Sequence, residues 1–380
     1  MPIPEGVRGE KNNNLMKKYL FFAAALLCAT AANAKLWRIN YNDEAQADFK
    51  TIKLCLAWNG FTDGDTLYME PGVHNGSSSD NTVSKSCTIL GPGWGFQSST
   101  NSISELESAI FTNELPAGAK SGNVYISGVV CNSGITRVTT STCSSLIIEK
   151  CCADHIQANA NNVTIRSCYL HSGGVSFYNT TSLVSATIVG NIIRGTMSCA
   201  AANVRLLIDH NTIFCTSAGN SGVTGMNTKT TFSNNILINT ASPDNVNIDA
   251  FLNPSYSMYN NVISFTTATI EAAEYTGDHT YDALRDPSCT NKIDATAANT
   301  FTCHIDDGIV DNAMYFYVKN DAVAKTADSN GGECGAFGGN YPYQLNGRPN
   351  GVPYLYDIVV PTHTTNNQLK VSFKVAGNNE

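Results

Sequence analysis

Charge is scarce in this chain: Asp, Glu, Lys and Arg make up 14% of its 380 residues. Acidic residues outnumber basic ones 31 to 23, so the surface lacks the cationic excess that nucleic acids and other polyanions require of a partner. Amphipathic-helix periodicity is almost missing after residue 60, which excludes a helical bundle. Beyond residue 34 no run is long and apolar enough for a membrane-spanning helix, so an integral membrane protein is not expected. Despite 13 cysteines, no pair or Cys/His cluster has zinc spacing. Asn, Thr, Ser, Ala, Val and Ile are abundant instead, the balance of an all-β chain with many short strands and polar turns. A chain of this length needs several compact domains or a repeat that grows along one axis.

Residues 1–34 read as an export signal, with Lys17 and Lys18 as a basic start, Tyr19 to Cys28 as a short apolar core and Ala32-Asn33-Ala34 as the cleavage site. Residues 1–15 are polar and unlike such a start, so translation is expected to begin at Met16. Leu27 stands before Cys28 where a lipid-anchor motif wants a small residue, so no lipid anchor is expected. Cleavage removes four basic residues (Arg8, Lys11, Lys17, Lys18) and two acidic ones (Glu5, Glu10), leaving 19 against 29 and a net charge of about −10. The mature chain is expected in the periplasm, at the cell surface or outside the cell. Export permits disulfides. Several cysteines nevertheless fall where neighbouring repeats carry Val, Ile or Asn, so most are expected as small hydrophobes in a stacked core, with Cys289 and Cys303 as the candidate pair.

The repeat is the strongest signal. Seven segments align on Ile126, Ile148, Ile165, Ile188, Ile208, Phe232 and Met258, at intervals of 17 to 26 residues. Two positions earlier stand Val124, Leu146, Val163, Ala186, Leu206, Thr230 and Tyr256, which share the anchor's inward face because side chains alternate along a strand. Five positions later stand Cys131, Ala153, Leu170, Ile193, Ile213, Leu237 and Ile263, which mark a second strand reached through a turn. Three positions after the anchor, Asn191, Asn211, Asn235 and Asn261 follow Val129, Cys151 and Cys168. Such a row is expected to form an asparagine ladder at a tight bend, taking left-handed backbone angles and hydrogen-bonding adjacent coils.

This pattern predicts a right-handed parallel β-helix over residues 35–330, with an N-terminal capping helix and a C-terminal β cap within 331–380. The helix is expected over 44–58, with Ala45, Phe49, Ile52 and Leu56 near one face. The run that follows it, GDTLYMEPGVH (Gly64 to His74), together with CTILGPGWG (Cys87 to Gly95), resembles the opening of pectate-lyase-like β-helix proteins. Gly331 to Ile358, followed by alternating Leu369, Val371, Phe373 and Val375, is similar to the closing region of secreted β-helix proteins of Bacteroidetes. The resemblance implies the architecture; the fold carries lyases, hydrolases, adhesins and binding proteins alike. Pectate lyases imply clustered acidic calcium ligands, and polygalacturonases imply Asn-Thr-Asp, Asp-Asp, Gly-His-Gly and Arg-x-Lys motifs. Of these only Asp306-Asp307 is present, beyond the regular repeats.

Stacked coils turn one register position into a linear surface feature. Six residues after the anchor the column reads Asn132, Asp154, His171, Arg194, Phe214, Ile238 and Ser264. Asp154, His171 and Arg194, with His155 beside them, are the candidate catalytic or glycan-binding residues, since a carboxylate, an imidazole and a guanidinium can hold a sugar acid or supply an acid and a base. Trp94, Phe96, Tyr169, Phe177 and Tyr178 are candidates for an aromatic platform, with Trp94 and Tyr178 joining His155 as substrate-binding residues. Glu149 and Arg166 are expected to form a surface ion pair across adjacent rungs, whereas Asp209 and His210 are expected on opposite sides of their strand. Asp43, Glu44, Asp63 and Asp65 could gather around Ca2+ near the N-terminal end, although their spacing matches no defined loop. The first functional expectation is a non-catalytic exported β-helix that binds carbohydrate or serves adhesion, and the second is a polysaccharide lyase or glycoside hydrolase. A purely structural surface role is the third. Nothing in the sequence specifies an oligomer.

Overall fold

The computed structural model describes residues 34–42, 45–94, 108–138, 143–177, 183–198, 204–215, 222–239, 256–264, 290–293, 295–302, 316–344, 347, 353–359 and 372–377. The signal segment, Phe96, Tyr178, Asp43, Glu44, Cys289, Cys303 and Asp306-Asp307 lie outside them. With strands numbered in chain order, one sheet stacks β1 (Leu36–Ile39), β2 (Thr66–Met69), β4 (Cys87–Leu90), β7 (Asn123–Ser127), β10 (Ser145–Glu149), β12 (Asn162–Arg166), β14 (Ser185–Val189), β17 (Arg205–Asp209), β20 (Thr230–Ser233) and β22 (Ser257–Tyr259). A second sheet stacks β3 (Gly72–His74), β5 (Ala109–Phe111), β8 (Val130–Cys131), β11 (Cys152–Ala158), β13 (Tyr169–Phe177), β15 (Ile192–Arg194), β18 (Thr212–Cys215), β21 (Ile236–Asn239) and β23 (Val262–Ile263). Four short strands, β6 (Leu115–Ala117), β9 (Ile135–Arg137), β16 (Met197–Ser198) and β19 (Val223–Thr224), extend the second sheet. All pairings in both sheets are parallel, so the chain is an all-β parallel β-helix.

The anchor column stacks as the periodicity requires: Ile126, Ile148, Ile165, Ile188, Ile208, Phe232 and Met258 pair one above the next. All but Met258 are buried, and they fill one core with Leu146, Val163, Leu206 and, from the second sheet, Ala153, Leu170, Ile193 and Leu237. Every described cysteine is buried and free, including Cys131, Cys151 and Cys168 inside that core. The expectation of cysteines as small core side chains is met at these positions.

The asparagine ladder is continuous. Asn191 Nδ2–H donates to Asn211 Oδ1 at 2.9 Å, Asn211 to Asn235 at 3.0 Å and Asn235 to Asn261 at 3.0 Å. A fifth member, Asn291, accepts from Asn261 at 2.8 Å. Each ladder oxygen also takes the backbone N–H of the preceding member, and each amide also donates to carbonyls such as Ile188 O from Asn211. These amides are buried without loss because both their donors and acceptors are satisfied. Cys168 and Cys151 continue the row, their thiols donating to Ile148 and Ile126 carbonyls at 3.6 and 3.8 Å, much as the asparagines do. One expectation is corrected. The left-handed residue is the one before the ladder: Lys150, Ser167, Gly190, His210, Asn234 and Asn260 have φ of 52°, 51°, 64°, 51°, 56° and 55°. That residue turns the chain, and the asparagine bonds the rungs together.

The helix near the N-terminus is also shorter than expected. Helix α1 spans only Ile52–Ala57, with the Thr51 hydroxyl accepting the Leu54 N–H at its start, and it buries Ile52, Cys55 and Leu56. Phe49 bridges in parallel to Ile39, so strand pairing rather than helix claims that residue. At the other end β24 (Pro353–Val359) and β25 (Ser372–Gly377) form an antiparallel pair of their own.

A second apolar cluster lies on the outer face of the second sheet. Val130, Cys152, Tyr169, Ile192 and Ile236, one position beyond the ladder, are buried beneath Phe316, Val318, Ala322, Ala324, Cys334, Ala336 and Tyr343. The segment 334–343 runs back along the solenoid rung by rung. The Cys334 thiol donates to Asn260 O, Gly335 N–H to Asn234 O and Ala336 N–H to Thr212 Oγ1, and Tyr343 then packs beside Trp94. This strap covers a face that alternation alone assigns to water.

Candidate functional site

Asp154 and His171 meet where the second sheet breaks its regular register. Strand β11 pairs with β13 at Ala153↔Leu170 and resumes at His155↔Gly174, so His171, Ser172 and Gly173 bulge out opposite the single residue Asp154. Glycine makes the bulge feasible. Gly174 has φ of +74°, and a Cβ there would stand 2.1 Å from the Thr196 carbonyl oxygen. Side chains at Gly134 and Gly173 would strike His155, at 2.6 Å from its Cε1 and 2.7 Å from its Cβ, so both glycines leave room for that imidazole.

The bulge folds three functional groups around one carboxylate. Ser172 Oγ–H donates to Asp154 Oδ1 at 2.5 Å, His155 Nδ1 lies 3.0 Å from Oδ2, and His171 Nδ1 lies 3.9 Å from Oδ1. The Asp154, His155 and His171 side chains are each about 30% exposed, at 28%, 30% and 31%. Partial burial pushes the Asp154 carboxyl upward. The Ser172 and His155 hydrogen bonds, with the charge of His171, outweigh that push and hold its pKa below the ordinary carboxylate range. Arg194 follows Ile193, which pairs with Leu170, so it stands one rung on at the register where the bulge begins. Sequence alignment therefore located Asp154, His155, His171 and Arg194 on consecutive rungs of one sheet. It missed Ser172, whose signal was the Gly-Gly that follows it.

The rest of the predicted column behaves differently. Phe214 and Ile238 are 3% and 1% exposed, covered by the second apolar cluster. The solvent-facing part of the column thus ends near Arg194. Trp94 is corrected as a platform residue: it is 2% exposed, packs near Tyr169 and Tyr343, and donates its Nε1–H to Lys150 O at 2.9 Å. Tyr169 is likewise buried. Glu149 and Arg166 do pair across rungs, yet the Glu149 side chain is only 6% exposed and also accepts the Tyr125 hydroxyl, so the pair is no surface ornament. Asp65 spends its oxygens on N–H donors of Lys35, Trp37 and Thr62. Among the described residues no three His, Cys, Asp or Glu side chains gather to hold a metal ion. A cavity of about 140 Å³ between Val262, Ile293, Asn299, Asp321 and Ala324 lies away from the Asp154 cluster.

Asp209 and His210 are also corrected, because they are hydrogen-bonded. His210 takes the left-handed turn position, and this swings its ring back so that Nδ1 lies 2.7 Å from Asp209 Oδ2. Compared with protein-family models, with curated proteins and with solved structures, the chain gives no match.

The chemistry available at Asp154 follows from these contacts. The imidazole of His155, donating Nδ1–H to the carboxylate, presents Nε2 as an acceptor or base. Ser172 gives its one hydroxyl hydrogen to the carboxylate rather than to an imidazole, which is not the order of a nucleophilic Ser-His-Asp relay. Hydroxyl, carboxylate, imidazole and guanidinium groups spread over consecutive rungs at about 4.8 Å spacing instead suit a polar ligand with several hydroxyls and an acidic group.

Proposed function

We propose that this chain is an exported, right-handed, pectate-lyase-like β-helix protein that binds a carbohydrate bearing an isolated acidic group, not a polyanion, at the Asp154, His155, His171, Ser172 and Arg194 surface. The observation that carries the reading is the glycine-enabled bulge, which gathers two imidazoles and a hydroxyl on one partly exposed carboxylate. A solvent-exposed stretch of solenoid has no folding need for such a gathering. Rigid stacked rungs would hold these groups at fixed spacing, so little ordering would oppose ligand binding. The leader-like first 34 residues support export, and the resemblance of Gly64 to Gly95 supports the family of folds.

The test is a carbohydrate array of neutral and uronate-containing oligosaccharides probed with the mature chain and with Asp154→Asn and Arg194→Ala variants. Selective capture of uronate-containing glycans, weakened about tenfold or more in both variants, is the expected result. Equal signals from wild type and variants would remove the assignment.

A second reading, polysaccharide lyase or glycoside hydrolase, is favoured by one contact, the Asp154–His155 hydrogen bond that orients an imidazole base. It predicts unsaturated uronate absorbance or new reducing ends on incubation with the captured glycan, lost in His155→Gln. Capture without product release leaves the binding reading alone.

A further inference from the structure

His210 sits between two carboxylates that belong to distant parts of the chain. Its Nδ1 lies 2.7 Å from Asp209 Oδ2 on its own strand, and its Nε2 lies 3.5 Å from Asp328 Oδ2 in the strap, 118 residues away. The His210 and Asp328 side chains are only 7% and 6% exposed. Both carboxylates are fixed by further donors. Ser233 Oγ–H and Asn234 Nδ2–H donate to Asp209 Oδ1 at 2.7 Å each, and the backbone N–H groups of Asn330 and Gly332 donate to Asp328 Oδ1. The strap also closes over the ring itself, for a Cβ at Gly339 would lie 2.8 Å from His210 Cγ and one at Gly338 would lie 3.1 Å from its Cδ2.

We propose that His210 is a pH-sensitive latch: as an imidazolium bridging Asp209 and Asp328, it fastens the 328–344 strap over the apolar outer strip of the second sheet, and its deprotonation releases the strap. An imidazolium has two N–H donors and here meets two acceptors. A neutral ring has one, so loss of the proton leaves one buried carboxylate facing a bare ring nitrogen. The remaining titratable groups nearby do not substitute for it. From the strap, Glu333 is paired with Lys325, and the Cys334 thiol is pushed upward by burial and by both aspartates, so it stays neutral. From the adjoining rungs come the uncharged Ser233 and Asn234 on one side and Gly190 on the other. The Asp154 cluster is separate from this latch, so the proposal stands apart from carbohydrate binding.

The sign of the pH effect is set by the partners. Burial alone lowers the His210 pKa, but Asp209 and Asp328 overcome it and raise it above the ordinary value of 6.5. The latch is therefore fully fastened below about pH 6.5 and weakens as pH rises through the raised value. Asp209 and Asp328 are both held below 3.8 against the upward push of their own burial, by His210 together with their Ser, Asn and backbone donors. Their contribution is present above about pH 3.8 and fades as pH falls through the lowered values. The strap is thus firmest from about pH 4 to about pH 6.5.

Hydrogen exchange read by mass spectrometry tests this on the full mature chain. The Ser329, Gly335 and Ala336 amides bond the solenoid at Asn234 Oδ1, Asn234 O and Thr212 Oγ1 and report strap closure. The ladder amides of Asn211 and Asn235 serve as the internal reference. Corrected for intrinsic rates, strap protection is expected to fall about tenfold or more on the alkaline side, with the ladder unchanged. Two variants carry the decision. His210→Asn keeps a residue suited to the left-handed turn, as Asn234 and Asn260 are on later rungs, and is expected to abolish the pH step. Asp328→Asn retains the oxygen that accepts Asn330 and Gly332 and is expected to move the step to lower pH. Strap protection that is flat across pH in wild type, or an identical step in either variant, overturns the latch.

Discussion

Individual side chains in this molecule matter chiefly through what they satisfy in the rung above or below. Asn235 accepts from the Asn211 amide and side chain and donates to Ile208 O and Asn261 Oδ1, all buried. Replacing it by Ala strands several of these groups at about 1–3 kcal/mol each, so Asn235→Ala is expected to cost about 3 kcal/mol or more in a denaturant titration. Cys168 offers the converse experiment. Its N–H already donates to Asn191 Oδ1, and its thiol points along the row. Cys168→Asn should extend the ladder by one member, and a midpoint of denaturation equal to or above wild type is the expected outcome. Four ladder residues were legible in the sequence because they recur at one register. Asn291 was not, since its spacing of 30 residues from Asn261 exceeds the coil lengths that mark the earlier repeats.

At the scale of elements, the bulge and the rung-to-rung ion pair decide what the surface can do. Gly173 gives room to His155, so Gly173→Val should displace that imidazole while leaving the anchors Ile148 and Ile165 stacked. The measurable consequence is a loss of glycan capture comparable to that of Asp154→Asn, with unchanged far-ultraviolet circular dichroism. Glu149 and Arg166 join adjacent strands, with the Tyr125 hydroxyl on the same carboxylate and the Tyr341 ring 5.4 Å beneath the guanidinium. Arg166→Ala leaves the buried Glu149 with the Tyr125 hydroxyl but without its cation, and a loss of about 3 kcal/mol is expected, at the low end for a broken buried pair because Arg166 is 33% exposed. The double change Glu149→Gln with Arg166→Met should cost clearly less than Arg166→Ala alone, which thermal unfolding of both variants would read. The ion pair was visible in the sequence as opposite charges at one register. Its depth was not, because the ring that meets the guanidinium belongs to Tyr341, far along the chain.

For the whole molecule, the strap is the feature that converts a repeating solenoid into a particular protein. It buries the outer column of Cys152, Tyr169, Ile192 and Ile236, and ending the chain before residue 316 would uncover that strip. Such a truncated form is expected to bind a hydrophobic dye and self-associate at concentrations where the full mature chain does neither, as light scattering would show. The repeat, the inward columns, the ladder and the consecutive placement of Asp154, His171 and Arg194 were determined by the sequence itself. Alternation and coil length are local properties, and each rung repeats the hydrogen-bonding needs of the one before. Only the tertiary structure decided which outward residues meet water, how His171 and Ser172 swing over Asp154, and that His210 faces Asp328. Periodicity assigns a side chain to the inside or the outside of its coil. Its outer neighbour is chosen by a segment that folds back from more than a hundred residues away, and no repeat encodes that return.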